Sequence, residues 1–88
     1  MSGSSRAEIE EVVLSHLAQY DASGTPDPDE DLFETGRVNS LFAVQLIGFL
    51  EGRFRFKVTV VDLELKNFST VNKIVEFVIR KTTASVTS

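Results

Sequence analysis

The sequence predicts an all-α protein: a four-helix bundle with a short third helix and a long loop between the first and second helices. Three observations predict it. Apolar residues recur at three- and four-residue spacings in three separate stretches, the repeat of a helix that buries one face. The single run that alternates apolar and polar residues has no second run to pair with, and a lone strand would leave its backbone donors and acceptors unmatched. The chain has 88 residues, 42% of them hydrophobic and 25% charged, enough for one modest core and too few for a core plus a deep enclosed active site. We read it as a single domain over 1–88, with flexible polar tails at 1–5 and 83–88.

The first helix runs from Arg6 to Tyr20. Ile9, Val12, Val13, Leu17 and Tyr20 form its stripe, and Ser4 or Ser5 stands ready as its cap. Asp21 to Val38 holds Gly24, Pro26, Pro28, Gly36 and six acids, too much punctuation for a regular element. It is a loop, and Leu32 and Phe33 can pin it to the core, so order is expected. From Ser40 to about Arg53 a second helix is expected, with Val44, Ile47, Leu50 and Phe54 at helical spacing and Leu46 widening the stripe. Phe54 to Val60 is the alternating run, expected to cross the domain as an extended connector that drops alternate side chains into the core. Val61 to Asn67 can form the short third helix through Leu63 and Leu65. Ser69 or Thr70 then caps the last helix, in which Val71, Ile74, Val75 and Val78 share a face flanked by Phe77, and Thr82 to Ser88 is a polar tail.

Composition narrows the function. Without cysteine the chain has no disulfide, thiolate metal site or cysteine nucleophile. The net charge of −4 hides an asymmetry, since Met1 to Gly36 carries nine acids and one base, and Arg37 to Ser88 four acids and eight bases. Those bases are scattered and the whole is acidic, which argues against nucleic acid as a partner. The N-terminal residues lack the basic-then-apolar order of a signal peptide, and charge or glycine interrupts the apolar stretches, so a cytoplasmic monomer without a membrane partner is expected. His16 is the only histidine; as a base for a serine it would need convergent partners that the sequence does not indicate, and no catalytic residue is assigned. Asp27, Asp29, Glu30 and Asp31 lack the glycine and terminal glutamate of a calcium loop, so they read as a solvated acidic loop and no metal ligand is assigned.

The segment Leu32-Phe33-Glu34-Thr35-Gly36-Arg37-Val38-Asn39-Ser40-Leu41 resembles the loop-to-helix junction of acyl and peptidyl carrier proteins, whose signature is roughly Leu-Phe, a glycine, an apolar residue, then Asp-Ser-Leu. The match continues in register through Leu46-Ile47, Leu50-Glu51, Phe54, Val58, Asp62-Leu63 and Asn67-Phe68-Ser69-Thr70-Val71 to Ile74 and Phe77. The resemblance implies the acyl-carrier-type bundle and a covalent 4′-phosphopantetheine arm on Ser40, derived from coenzyme A and installed by a phosphopantetheinyl transferase with a divalent metal ion. The arm's thiol would hold an acyl or aminoacyl group as a thioester for partner enzymes, the carrier itself catalysing nothing. Those partners would be an acyl-loading enzyme, tailoring enzymes, and ketosynthase and acyltransferase domains. Physical chemistry supports Ser40 independently: a serine at the last non-helical position is exposed, and the helix end favours a phosphate. The competing reading is an unmodified helical interaction module in which Ser40 is only a cap.

Two departures from the family pattern qualify the resemblance. Asn39 stands where aspartate is usual, keeping the turn and cap but losing a carboxylate that in the family helps contact the transferase and its metal. The second helix offers Glu51 as its one acid, balanced by Arg53, so docking through Leu41, Phe42 and Val44, with Arg37 nearby, is expected to be mostly apolar; Phe42 can equally widen the core. The string Val38 to Leu46 also resembles small free-standing carriers of unusual polyketide extender units, such as methoxymalonyl-type thioesters. A discrete carrier of secondary metabolism, polyketide or hybrid, is the expectation, with a peptidyl carrier of nonribosomal peptide synthesis as the alternative.

Overall fold

The computed structural model describes residues 5–20, 24–59 and 64–87. These comprise three α-helices, α1 (Arg6–Tyr20), α2 (Ser40–Phe54) and α3 (Val71–Thr87), with a 3-10 helix at Leu65–Phe68 between the last two. No strand occurs among the described residues. The all-helical expectation holds. The short third helix expected over Val61 to Asn67 is described only in part: Val61 to Leu63 fall outside the described residues, and Leu65–Phe68 form one 3-10 turn.

Local chemistry starts the helices where the sequence suggests. The Ser5 hydroxyl accepts the Glu8 amide at 3.1 Å at the head of α1, and the Thr70 hydroxyl accepts the Lys73 amide at 3.0 Å at the head of α3, each satisfying a backbone donor that the helix leaves open. In place of the expected polar tail, α3 continues as helix to Thr87. Thr82 assists by donating its hydroxyl to the Val78 carbonyl at 2.9 Å, which accommodates a polar side chain within a helix.

One core joins the elements. Ile9, Val13 and Leu17 of α1 meet Ile74, Val75 and Val78 of α3, and Leu46, Ile47 and Leu50 of α2 close the third side. Phe68 and Phe56 present their rings nearly edge-on to Phe77, with centroids 5.0 and 6.0 Å away, the geometry the ring quadrupole favours. Phe56 is buried, Val58 half-buried, and Arg55, Lys57 and Thr59 exposed, so the connector alternates as expected; Val60 lies outside the described residues. It leaves α2 through Arg55, whose left-handed φ of 59° turns the chain, and is held by the Glu51 carboxylate accepting the Val58 amide at 2.9 Å.

The long loop is ordered by more than its apolar pin. Leu32 is fully buried, and its amide donates to the Ser69 carbonyl. The Asn72 amide donates to the Pro28 carbonyl at 3.1 Å, and its side chain accepts from Arg6 at 2.9 Å and donates to Asp29 at 2.8 Å. One residue of α3 thus ties together the start of α1 and the loop.

The junction of loop and second helix as candidate site

The site is built by a short series of local decisions. Asp31 uses one carboxylate oxygen to accept the Phe33 and Glu34 amides, both at 3.0 Å, so this acid is a turn former. Asp27 accepts the Asp29 amide at 2.9 Å in the same manner. The turn closes when the Gly36 amide donates to the Phe33 carbonyl at 3.2 Å. Gly36 has φ +81°, a conformation a side chain would strain. Val38 then plugs into the core, and Asn39 adopts an extended backbone at φ −125°, ψ 178°.

Asn39 is the cap of α2: its Oδ1 accepts the Phe42 amide at 2.9 Å. This corrects the expectation that Ser40 sits at the last non-helical position, because Ser40 is the first residue of the helix. The reason is competition between neighbouring cap formers: asparagine reaches the third amide onward, and the serine after it is already helical. Ser40 is exposed, and its hydroxyl forms no hydrogen bond with another described residue. The first turn of α2 contains no acid, so the free amides and positive dipole end meet no competing carboxylate on this helix. A phosphodiester on Ser40 therefore fits the residues present.

The residues grouped with Ser40 on the sequence divide. Leu41 and Val44 are exposed, at 66% and 58%. Phe42, expected in the docking patch, is only 3% exposed. It faces α1, its ring centroid 4.2 Å from that of Tyr20 and 5.7 Å from that of His16, and belongs to the core. The rotational phase of α2 accounts for this and for Val44: the buried face is Phe42, Ala43, Leu46, Ile47 and Leu50, so Val44, placed in the core stripe by periodicity, faces out. Gly48 and Gly52 also lie exposed on α2 with open space where a Cβ would stand, completing an uncharged surface that sequence reasoning did not assemble.

Arg37 braces the loop. Its Nε donates to Glu30 at 2.7 Å and its Nη1 to the Gly24 carbonyl at 3.0 Å. The hydrogen bond from Arg37, followed by one from Thr35, holds the Glu30 carboxyl below its ordinary value of 4.5. His16 stacks on Phe49 at 4.5 Å, and no hydrogen bond joins it to Ser40 among the described residues.

Comparison with known proteins agrees with this geometry. A family model described as "Phosphopantetheine attachment site" matches residues 11–78, which span all of α2 and the junction before it. The chain belongs to this family of carrier proteins, non-catalytic proteins that bear a phosphopantetheine prosthetic group. It is similar to the D-alanyl carrier protein of Streptococcus sanguinis, 40% identical over 71 residues that cover 81% of this chain and 86% of the relative. The D-alanyl carrier protein of Streptococcus suis is 41% identical over 73 residues, covering 82% and 92%. That of Latilactobacillus sakei is 36% identical over 70 residues, covering 77% and 90%. No helix among the described residues is long and apolar enough to cross a membrane.

Proposed function

We propose that Ser40 is the residue that carries the phosphopantetheine arm, and that the protein presents an acyl group tethered to that arm to a series of partner enzymes. The observation that carries this reading is the division of labour at the head of α2. Asn39 already caps the helix, which leaves Ser40 exposed and uncommitted at its positive end. The interaction-module reading gives Ser40 only a capping task, and that task belongs to its neighbour. In a phosphopantetheinyl transferase the Ser40 oxygen takes the arm from coenzyme A, the nucleotide half leaves, and the serine proton passes to the enzyme. The arm supplies a thiol whose thioester raises the local concentration of its acyl group at each partner. Leu41 and Val44 form the contact face beside it, uncharged and apolar; Arg37 acts by holding the loop rather than by direct contact.

Incubation with coenzyme A and a broad-specificity transferase, followed by mass spectrometry, tests the assignment. A phosphopantetheine adduct is expected on the native protein and on no other residue in Ser40→Ala. Failure with several transferases leaves the interaction module.

For the cargo, we propose an acyl extender unit of secondary metabolism, of the methoxymalonyl type, delivered to ketosynthase or acyltransferase partners. The resemblance of Val38 to Leu46 to carriers of such units supports it. A second reading, an aminoacyl cargo, is favoured by relatives named for D-alanine. Loading assays with a D-alanine-activating ligase and with an enzyme of oxidised three-carbon thioesters discriminate: acceptance of D-alanine alone overturns the first reading.

A further inference from the structure

A surface built from the 3-10 turn and α3, distinct from the exposed face of α2, gathers positive charge. Lys66 and Asn67 of the turn and Lys73, Glu76 and Arg80 of α3 line an open, mainly polar cleft of about 230 Å³. Three bases thus face one acid in a chain of net charge −4. We propose that this cleft is a docking site for an acidic segment, a short run of Asp and Glu, on a partner protein. The inference rests on the reading that the protein meets partner enzymes, and not on the arm itself.

Three features carry it. The first is that the fold does not use these charges. Glu76 stands three residues from Lys73 and four from Arg80, the spacings at which helical ion pairs form, yet among the described residues neither base pairs with it. Arg80 instead holds its guanidinium 5.8 Å from the Phe77 ring centroid, which steadies the head and leaves its N–H donors for a carboxylate. Lys66 reaches Glu64 at 3.9 Å with both side chains exposed, a contact worth little. The second is spacing. Lys73 and Arg80 are seven residues apart on α3, about 10 Å along the axis, a separation that three extended peptide residues span. All three bases are exposed, so a single small anion gains little there, whereas several linked carboxylates add their contributions. The third is the border. Asn72, next to Lys73, donates to Asp29 of the loop at 2.8 Å, so the acidic loop adjoins the cleft. A broad anionic surface such as a bilayer meets those acids together with the bases; a narrow segment meets the bases alone. The cleft is also joined to the site by short links. The Lys66 carbonyl accepts the Ser69 hydroxyl at 3.1 Å, the Ser69 carbonyl accepts the Leu32 amide, and the Leu32 carbonyl accepts the Val38 amide, two residues before Ser40. An enzyme that engages Ser40 can therefore grip the cleft as well.

The experiment uses the full unmodified chain and a rhodamine-labelled hexaglutamate peptide, with a Gly-Ser hexapeptide as reference, read by anisotropy at low salt and by amide shifts. Binding of hexaglutamate alone is expected, with shifts concentrated at Lys66, Asn67, Lys73, Glu76 and Arg80. Lys73→Gln combined with Arg80→Gln is expected to weaken binding about tenfold. Glu76→Gln removes the one acid lining the cleft and is expected to tighten binding about threefold, a gain that a poorly folded variant would not give. Arg55→Gln combined with Lys57→Gln, exposed bases on the connector, is expected to change affinity by less than about twofold. Equal weakening by that control pair, no gain in Glu76→Gln, or shifts centred elsewhere overturns the inference. Displacement of the peptide by an equal concentration of inorganic phosphate overturns it in favour of a simple anion site, and equally tight binding to phosphatidylglycerol vesicles in favour of a lipid surface. Ser40→Ala is expected to bind the peptide as the native protein does, so a failure of the attachment assignment, read by mass spectrometry of the coenzyme A reaction, is seen separately from a failure of this one.

Discussion

Asn39 accepts the Phe42 amide through its side-chain oxygen, so its contribution is a helix cap whatever else it does. Asn39→Ala is expected to lower stability by about 1 kcal/mol, measured by denaturant unfolding, whereas Asn39→Asp keeps the acceptor and leaves stability nearly unchanged. Because the cap survives in the aspartate variant, its modification rate isolates the carboxylate: a large gain marks the native asparagine as a restriction on transferase choice, and no change removes Asn39 from that role. Phe42 gives the opposite kind of prediction. Its ring is buried against Tyr20 and His16, and Phe42→Ala is expected to cost about 3–5 kcal/mol. The drop is to be read in thermal melts, with partner turnover at low temperature unchanged; turnover loss without a stability loss would return Phe42 to the docking face.

At the scale of the element, α2 is the informative helix. Leu41, Val44, Leu46, Ile47, Phe49 and Leu50 surround it with apolar side chains, so periodicity establishes that it is a helix but not which way it faces. Contacts from α1 decide that, by drawing Phe42 inward and turning Val44 out. Gly48 sits on the exposed side, where an added Cβ would meet open space, so Gly48→Ala is expected to raise stability by about 1 kcal/mol, seen as a higher unfolding midpoint. A stabilised variant that loads partners more slowly would mean that a bare helix surface is retained for close approach.

The whole molecule depends on the loop staying docked, and charge contributes to that. The folded state holds the Glu30 carboxyl below its ordinary value, chiefly through Arg37. A depressed carboxylate contributes stability above its unfolded value near 4.5, and that contribution is lost as pH falls through the lower folded value. Glu30→Gln is therefore expected to be less stable than the native protein at neutral pH, the difference shrinking as pH falls below the ordinary carboxylate range. The pair is solvent-accessible, so the effect should be small and weaken with salt; a gap that persists unchanged in acid would assign it to packing instead. The Asn72 bridge between Arg6 and Asp29 joins the same loop to α1 and α3, so loss of the Glu30 pair alone is not expected to unfold the domain.

By itself the sequence determined the helical class, the bounds of α1, the burial of Leu32 and the alternating connector. Those features follow from local pattern: apolar period, cap residues and glycine at a turn act within a few residues of themselves. It also brought Ser40 forward, because the residues around that serine match the family signature in order. What tertiary structure alone decided was set by contacts between separate elements: that Phe42 points to α1 and that α1 and the loop leave a cleft between them; that Asn39 rather than Ser40 caps α2 is a local choice between adjacent cap formers that the sequence pattern left open. A helix with apolar residues on every side can bury any of them, and two adjacent cap formers can each cap. The choice of buried face falls to the arrangement that packs the rings together, which no local window of sequence contains.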